Sequence, residues 1–200
     1  MNPFLSHEVQ NSLVLASASP RRREILEGLG FEFEVIVPDV DEDVIIWKEP
    51  EKVTSLLSEL KAVEVQSQRP RKTIIGADTV VILDGEIMGK PAGRDDAVSM
   101  IRLLSGRSHE VMTAITIAAP PNIRITRAER TRVIFRKITD AEIERYADMD
   151  EPYDKAGGYA VQGHASVFVD RIEGCYPNVV GLPVSMMFRM FRELESMKRL

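Results

Sequence analysis

Apolar positions recur along the chain with two periods, and the changes between them mark the expected elements. Residues 13–17 are a short apolar run suited to a buried strand. Pro20 stands where prolines open helices, with Ser19 as N-cap; Ile25, Leu26 and Leu29 line one face before Gly30 stops the helix. "FEFEVIV" (31–37) alternates as a half-buried strand does and ends at Pro38. From Glu51 to about Gln66 the helical period returns, with Val53, Leu56, Leu57 and Leu60 on one stripe and Lys61 at its edge.

"TIIGADTVVIL" (73–83) reads as a strand containing a glycine, and "DGE" as a hairpin turn. "GRDDAVSMIRLLSG" (93–106) is an amphipathic helix with Ala97, Met100, Ile101 and Leu104 in register and Gly106 as its stop. Two strands are predicted at 109–119 and 123–137, on either side of "PPN". Thr139 and Glu142 form a capping box that opens a helix over 139–150. A glycine-rich stretch then leads to a strand at 165–172, and the last helix carries Met186, Met187, Met190, Phe191 and Leu194 as core packing. Strands alternate with helices early and adjoin one another later, which predicts an α/β class with a mixed sheet. Residues 1–11 read as a loose tail and 12–200 as a single domain without repeats or linker.

Composition narrows the function classes. The chain has 200 residues and a net charge of -5, which argues against broad duplex binding. Seven Phe, four Tyr and Trp47 offer no stacking platform for single strands. No apolar run approaches the ~20 residues that span a bilayer. "MNPFLSHEVQ" has neither the basic flank nor the apolar stretch of an export signal. A single cysteine, Cys175, leaves no internal disulfide and fits a reducing compartment. The expected partners are therefore neither nucleic acid nor membrane, and the expected location is the cytoplasm. A small anion held in a local basic pocket stays open.

The P-loop, G-x-G-x-x-G, C-x-x-C, H-E-x-x-H and G-x-S-x-G patterns are absent. His7, His109 and His164 share no ligand spacing and read as surface or loop residues. What remains is a set of charged residues in or beside apolar strands. Asp78, inside "IIGADTVVI", is a carboxylate among residues that should be buried; it needs a metal, a cation or backbone N–H groups to compensate it. Lys90 in "MGKP" reaches the edge of the sheet. Glu42, in "PDVDED", belongs either to a solvated acidic loop or to an oxygen site for Mg2+. In "DKAGGYAVQG", Gly157, Gly158 and Gly163 allow close backbone approach, Lys155 adds a cation, and Gln162 a two-sided amide suited to a base edge. Arg21, Arg22 and Arg23 at a helix start are either a solvated face or an anion site. Together these cations, with Lys61, against two carboxylates suit a polyphosphate plus a divalent metal.

In order, "LASASPRRREIL", "DVDE", "GADTVV", "GKP", "DKAGGYAVQG" and "NVVGLP" resemble the motifs of the Maf proteins, which are nucleoside triphosphate pyrophosphatases. The resemblance runs from about residue 13 to 190. It implies an elongated mixed β-sheet flanked by helices, with two lobes and a central cleft, as in the inosine triphosphate pyrophosphatases. It also implies hydrolysis of a nucleoside triphosphate to the monophosphate and pyrophosphate with a divalent cation, Mg2+ or Mn2+. By motif, Asp78 takes the place of the proton acceptor, and sequence leaves open whether it is the general base or, with Glu42, a metal ligand. Ser17, Arg22, Lys61, Lys90 and Lys155 fall to phosphate binding. Arg21, Thr79 and Gln162 match the positions that separate the family's branches by base.

Arg after "SP", Thr after "GAD" and Gln before the last glycine are similar to the branch acting on dTTP and UTP. The alternatives are a non-catalytic nucleotide-binding regulator of cell division and a pyrophosphatase of the 7-methyl-GTP branch, whose pattern has tryptophan after "SP". Ala160 and His164 depart from the common pattern, where glycine and a nonpolar residue stand. Family analogy adds a homodimer.

Overall fold

The computed structural model describes residues 2–41 and 49–198. In chain order its elements are α1 (His7–Gln10), β1 (Leu13–Ala16), α2 (Pro20–Gly28), β2 (Glu34–Ile36), α3 (Pro50–Gln68), β3 (Thr73–Leu83) and β4 (Glu86–Met88). There follow α4 (Arg94–Leu104), β5 (Ser108–Ala119), β6 (Ile123–Phe135), α5 (Asp140–Ala147), β7 (Val169–Glu173), α6 (Tyr176–Val180) and α7 (Val184–Met197). Three short 3₁₀ turns, Glu151–Asp154, Ala156–Gly158 and His164–Phe168, occupy the glycine-rich region between α5 and β7. The strands form one seven-stranded sheet in the order β2-β1-β3-β5-β6-β7, with β4 paired to β3. β1 runs parallel to β2 and β3, whereas β3–β4 and β6–β7 are antiparallel, so the sheet is mixed as expected.

The chain divides into two compact units, Met1–Asp78 with Thr113–Glu129 and Gly181–Leu200, and Thr79–Met112 with Arg130–Val180. The first unit has a core on each face of its strands. One gathers Leu15, Leu26, Ile75, Ile115 and the α7 stripe Met186, Met187, Met190, Phe191 and Leu194. The other, smaller, sets Val14, Ala16, Ile74 and Ala118 against Ala62 and Val65 of α3. The second unit packs α4 and α5 with Val81, Val111, Val133, Phe135, Tyr159 and Phe168.

Local chemistry accounts for most boundaries. The hairpin after β3 turns on Asp84 and Gly85, both at positive φ (53° and 86°), the geometry a two-residue type I′ turn requires. The capping box is present: Thr139 Oγ1 accepts from the Glu142 N–H, and Glu142 Oε2 accepts from the Thr139 N–H at 2.8 Å. Ser19 stands at the N-cap of α2 but makes no side-chain cap bond.

Four expectations need correction. Residues 2–11 are not a loose tail: Asn2 and Gln10 are buried, and Gln10 Nε2 donates to the Asn2 and Leu5 carbonyls at 2.8 Å. "FEFEVIV" yields only the three-residue strand β2 at one end of the sheet order, with Val35 and Val37 exposed. The first half of the 165–172 strand is a 3₁₀ turn, and β7 starts at Val169.

The α3 stripe is rotated. Its buried face is Val53, Thr54, Leu57, Ser58, Ala62 and Val65, while Leu60 is exposed. Gly76 of β3 is the cause. A Cβ there would stand 2.4 Å from the Ser58 carbonyl oxygen and 2.8 Å from Ala62 Cβ, so α3 lies on the bare glycine and turns its smallest side chains toward it. Among the described residues, no helix is long and apolar enough to cross a membrane.

Candidate active site

In the first unit, three consecutive arginines at the start of α2 have three environments. Arg23 is exposed and pairs with Glu27 one turn on, at 2.7 Å. Arg21 is half-buried. Arg22 is only 9% exposed; its Nε donates to the Gly181 carbonyl at 2.8 Å and its Nη1 to Ser17 Oγ at 3.0 Å. Ser17 Oγ also accepts from the Ser19 N–H at 3.1 Å, which ties the end of β1 to the start of α2. The solvated-face reading is therefore right for Arg23 and wrong for Arg22, whose guanidinium is oriented by two fixed oxygens.

The close approach of α3 to Gly76 has a chemical result one turn along. Lys61, at the edge of the buried face, donates from Nζ to Asp78 Oδ1 at 2.7 Å. The two side chains are 12% and 10% exposed. A carboxylate inside an apolar strand is thus compensated by a cation. Gly76 and Asp78 share a face of β3, since strand side chains alternate; half-buried Thr79 leaves the other.

In the second unit, the glycine-rich region docks on the turn that carries Lys90. The Gly157 N–H donates to the Gly89 carbonyl at 2.9 Å, and a Cβ on Gly157 would meet Val81 Cγ1 at 2.9 Å. Gly157 also adopts φ 69°, so glycine is required there twice over. Lys90 is exposed. Lys155 is more enclosed: its Nζ donates to the Glu151 carbonyl at 2.8 Å and pairs with the Asp154 carboxylate. Gln162 is exposed at the tip of a turn closed by the Gly163 N–H on the Ala160 carbonyl at 3.1 Å. Glu42 lies outside the described residues.

Three second-unit side chains escaped the sequence reading. His109, expected at the surface, is 2% exposed. Its Nε2 lies 2.6 Å from the Tyr159 hydroxyl, and its ring meets Phe135 edge-on. Burial pushes its pKa down to about 4. Alternation along β5 was the available signal, because His109 occupies an inward position. Glu151 accepts from the main-chain N–H groups of His164 and Ala165, just after Gln162. Asn178, fully buried within "NVVGLP", donates from Nδ2 to the Val111 carbonyl and to Thr131 Oγ1, both at 2.9 Å.

Among the described residues, no three or more His, Cys, Asp or Glu come together as a metal cage. The oxygen chemistry present suits a different arrangement, in which one or two carboxylates hold Mg2+ and substrate phosphates complete its shell. Asp78 has only Oδ1 in its bond to Lys61 and fits that arrangement.

Residues 12–194 match the family model described as Maf-like protein. The dTTP/UTP pyrophosphatase of Desulforamulus reducens is 48% identical over 183 residues, which cover 90% of this chain and 96% of that relative. The dTTP/UTP pyrophosphatase of Geobacillus sp. is 43% identical over 182 residues, 91% of this chain and 97% of the relative. Among solved structures, the nucleoside-triphosphatase / dITP/XTP pyrophosphatase from Mycobacterium abscessus is similar with a TM-score of 0.44 and 14% identity, covering 92% of this chain and 96% of that one.

Proposed function

The chain belongs to the Maf-like protein family, and from that membership we infer that it is a nucleoside triphosphate pyrophosphatase hydrolysing dTTP and UTP. The products are the nucleoside monophosphate and pyrophosphate. The observation that carries the chemistry is Asp78, a carboxylate 7% exposed within β3 and ion-paired to Lys61. Phosphoryl chemistry asks a protein chiefly for positioning and charge neutralisation, and a carboxylate oriented by the Lys61 cation suits both.

In this reading Asp78 orients a water and takes its proton as the water oxygen bonds to the α-phosphorus. The bond from the α-phosphorus to the bridging oxygen breaks, and pyrophosphate leaves with that electron pair. Arg22 and Lys61 take phosphate oxygens, with Ser17 as a hydroxyl donor; Lys90 and Lys155 have the same role by motif. Arg21, Thr79 and Gln162 select the pyrimidine. A divalent cation, Mg2+ or Mn2+, belongs to the reading, with Asp78 and Glu42 as its protein ligands and charge neutralisation on the phosphates as its contribution. A homodimer and a cytoplasmic location complete it, the latter supported by the single Cys175 in a chain of 200 residues.

The experiment is pyrophosphate release from the purified protein across canonical and modified triphosphates, with and without Mg2+. Highest kcat/KM on dTTP and UTP is expected. Preference for 7-methyl-GTP would move the chain to the other branch, and tight binding of dTTP without turnover would make it a non-catalytic binder.

A further inference from the structure

Gln162 is exposed, yet the backbone that carries it is anchored on both sides. On the N-terminal side, Tyr159 is buried with its hydroxyl 2.6 Å from His109 Nε2. On the C-terminal side the anchor is Glu151, which opens the 3₁₀ turn that follows α5. Its Oε2 accepts from the His164 N–H at 2.8 Å. Its Oε1 accepts from the Ala165 N–H at 3.2 Å and from the Tyr146 hydroxyl at 2.9 Å. Burial raises the Glu151 carboxyl, but the two main-chain N–H groups and the Tyr146 hydroxyl outweigh it and leave its pKa below the usual range.

The residue between these contacts is Gly163. A Cβ there would stand 2.1 Å from Glu151 Oε2, so the carboxylate lies directly against the bare Cα. Gly163 itself adopts φ -99° and ψ -153°, extended backbone that any residue reaches. Glycine is therefore demanded here by the carboxylate and not by the conformation. The same Glu151 accepts from Lys155 Nζ through its carbonyl, so one residue supports both a candidate phosphate cation and the segment of the candidate base reader.

We propose that Glu151 is a positioning residue for base selection: its carboxylate fixes the Gly163–Ala165 backbone and thereby aims the Gln162 amide at the pyrimidine edge. The proposal rests on the reading that the chain acts on dTTP and UTP with Gln162 at the base. A carboxylate offers two acceptor oxygens to three donors. A glutamine in its place presents an NH2 to at least one of the His164 and Ala165 N–H groups and loses that anchor.

Steady-state kinetics on dTTP, UTP and dGTP test this with Glu151→Gln, Gly163→Ala and Gln162→Ala side by side. Gly163→Ala displaces the carboxylate without straining the backbone, so it carries the test even if Glu151→Gln folds poorly. Both are expected to raise the KM for dTTP about tenfold, to leave kcat within about twofold, and to lower the dTTP-over-dGTP ratio of kcat/KM about tenfold. Gln162→Ala sets the largest loss of that ratio. A merely structural role would lower the melting temperature and scale all three nucleotides alike.

An unchanged ratio in both Glu151→Gln and Gly163→Ala, with Gln162→Ala altering it, overturns the proposal alone. An unchanged ratio in Gln162→Ala, with dTTP still hydrolysed, overturns the base-reading role and the proposal with it but leaves the pyrophosphatase. Absence of dTTP hydrolysis by the unsubstituted protein overturns the functional reading itself.

Discussion

Arg22 and Asp78, in the first unit, are 9% and 7% exposed, and their charged groups are bonded to Ser17, the Gly181 carbonyl and Lys61. Lys90 and Gln162, in the second, are exposed, and what is held is their main chain, through the Gly157 bond to Gly89 and the turn closed by Gly163. Desolvation explains the difference. A buried charge must have fixed partners or it destabilises the fold, so burial and orientation come together. An exposed side chain carries no such penalty, and its direction is set only by the rigidity of its backbone. The first group is positioned by bonds to its charged ends and the second by glycines and anchors in its main chain.

The largest test of that contrast is Asp78→Asn. Turnover should fall about 1,000-fold, the scale of a lost general base, while dTTP still binds in a calorimetric titration. Retained turnover would remove Asp78 from its role. Next comes Gly76→Ala, which drives a Cβ against the Ser58 carbonyl of α3 at 2.4 Å. About 3 kcal/mol of stability should be lost in urea unfolding, and activity with it as Lys61 is moved from Asp78.

In the second unit, His109 links stability to pH. Its folded pKa of about 4 lies below the ordinary 6.5, so between those values the unfolded chain binds a proton that the folded one does not. The contribution is complete above pH 6.5 and is lost as pH falls through 4, by about 3 kcal/mol in all. His109→Phe should flatten unfolding curves across that window; an unaltered pH slope would exclude His109 as its source. The smallest effect belongs to Arg23→Ala. Its pair with Glu27 is exposed and screened by water, so the urea midpoint and pyrophosphate release should both be unchanged. Arg22→Ala, one residue away, should impair release strongly.

The sequence made the fold legible wherever one residue type has one physical use. β3 falls on 73–83 as expected, the capping box forms at Thr139 and Glu142, and the α7 stripe is buried at all five named positions. It was less legible where tertiary packing overrides periodicity. Leu60 fits the α3 stripe by spacing, yet the glycine across from α3 turns smaller residues inward. "FEFEVIV" alternates well, but a strand at the end of the sheet order has little to bury its outer residues.

The site followed the same division. Asp78 was conspicuous because a carboxylate is costly in an apolar run, and Lys61 because it stood at the edge of a stripe. Which of three adjacent arginines turns inward could not be read from local sequence, because one of the two oxygens that orient Arg22 comes from Gly181. Glu151 was hidden for the opposite reason. An acidic residue before a loop looks solvated, and its partners are main-chain N–H groups 13 and 14 residues on.

Hydrolysis of dTTP in water enriched with oxygen-18, followed by 31P NMR of the products, tests the central claim most directly. Attack at the α-phosphorus should place one labelled oxygen in dTMP and none in pyrophosphate. Label in the pyrophosphate, or release of dTDP and orthophosphate, would contradict it.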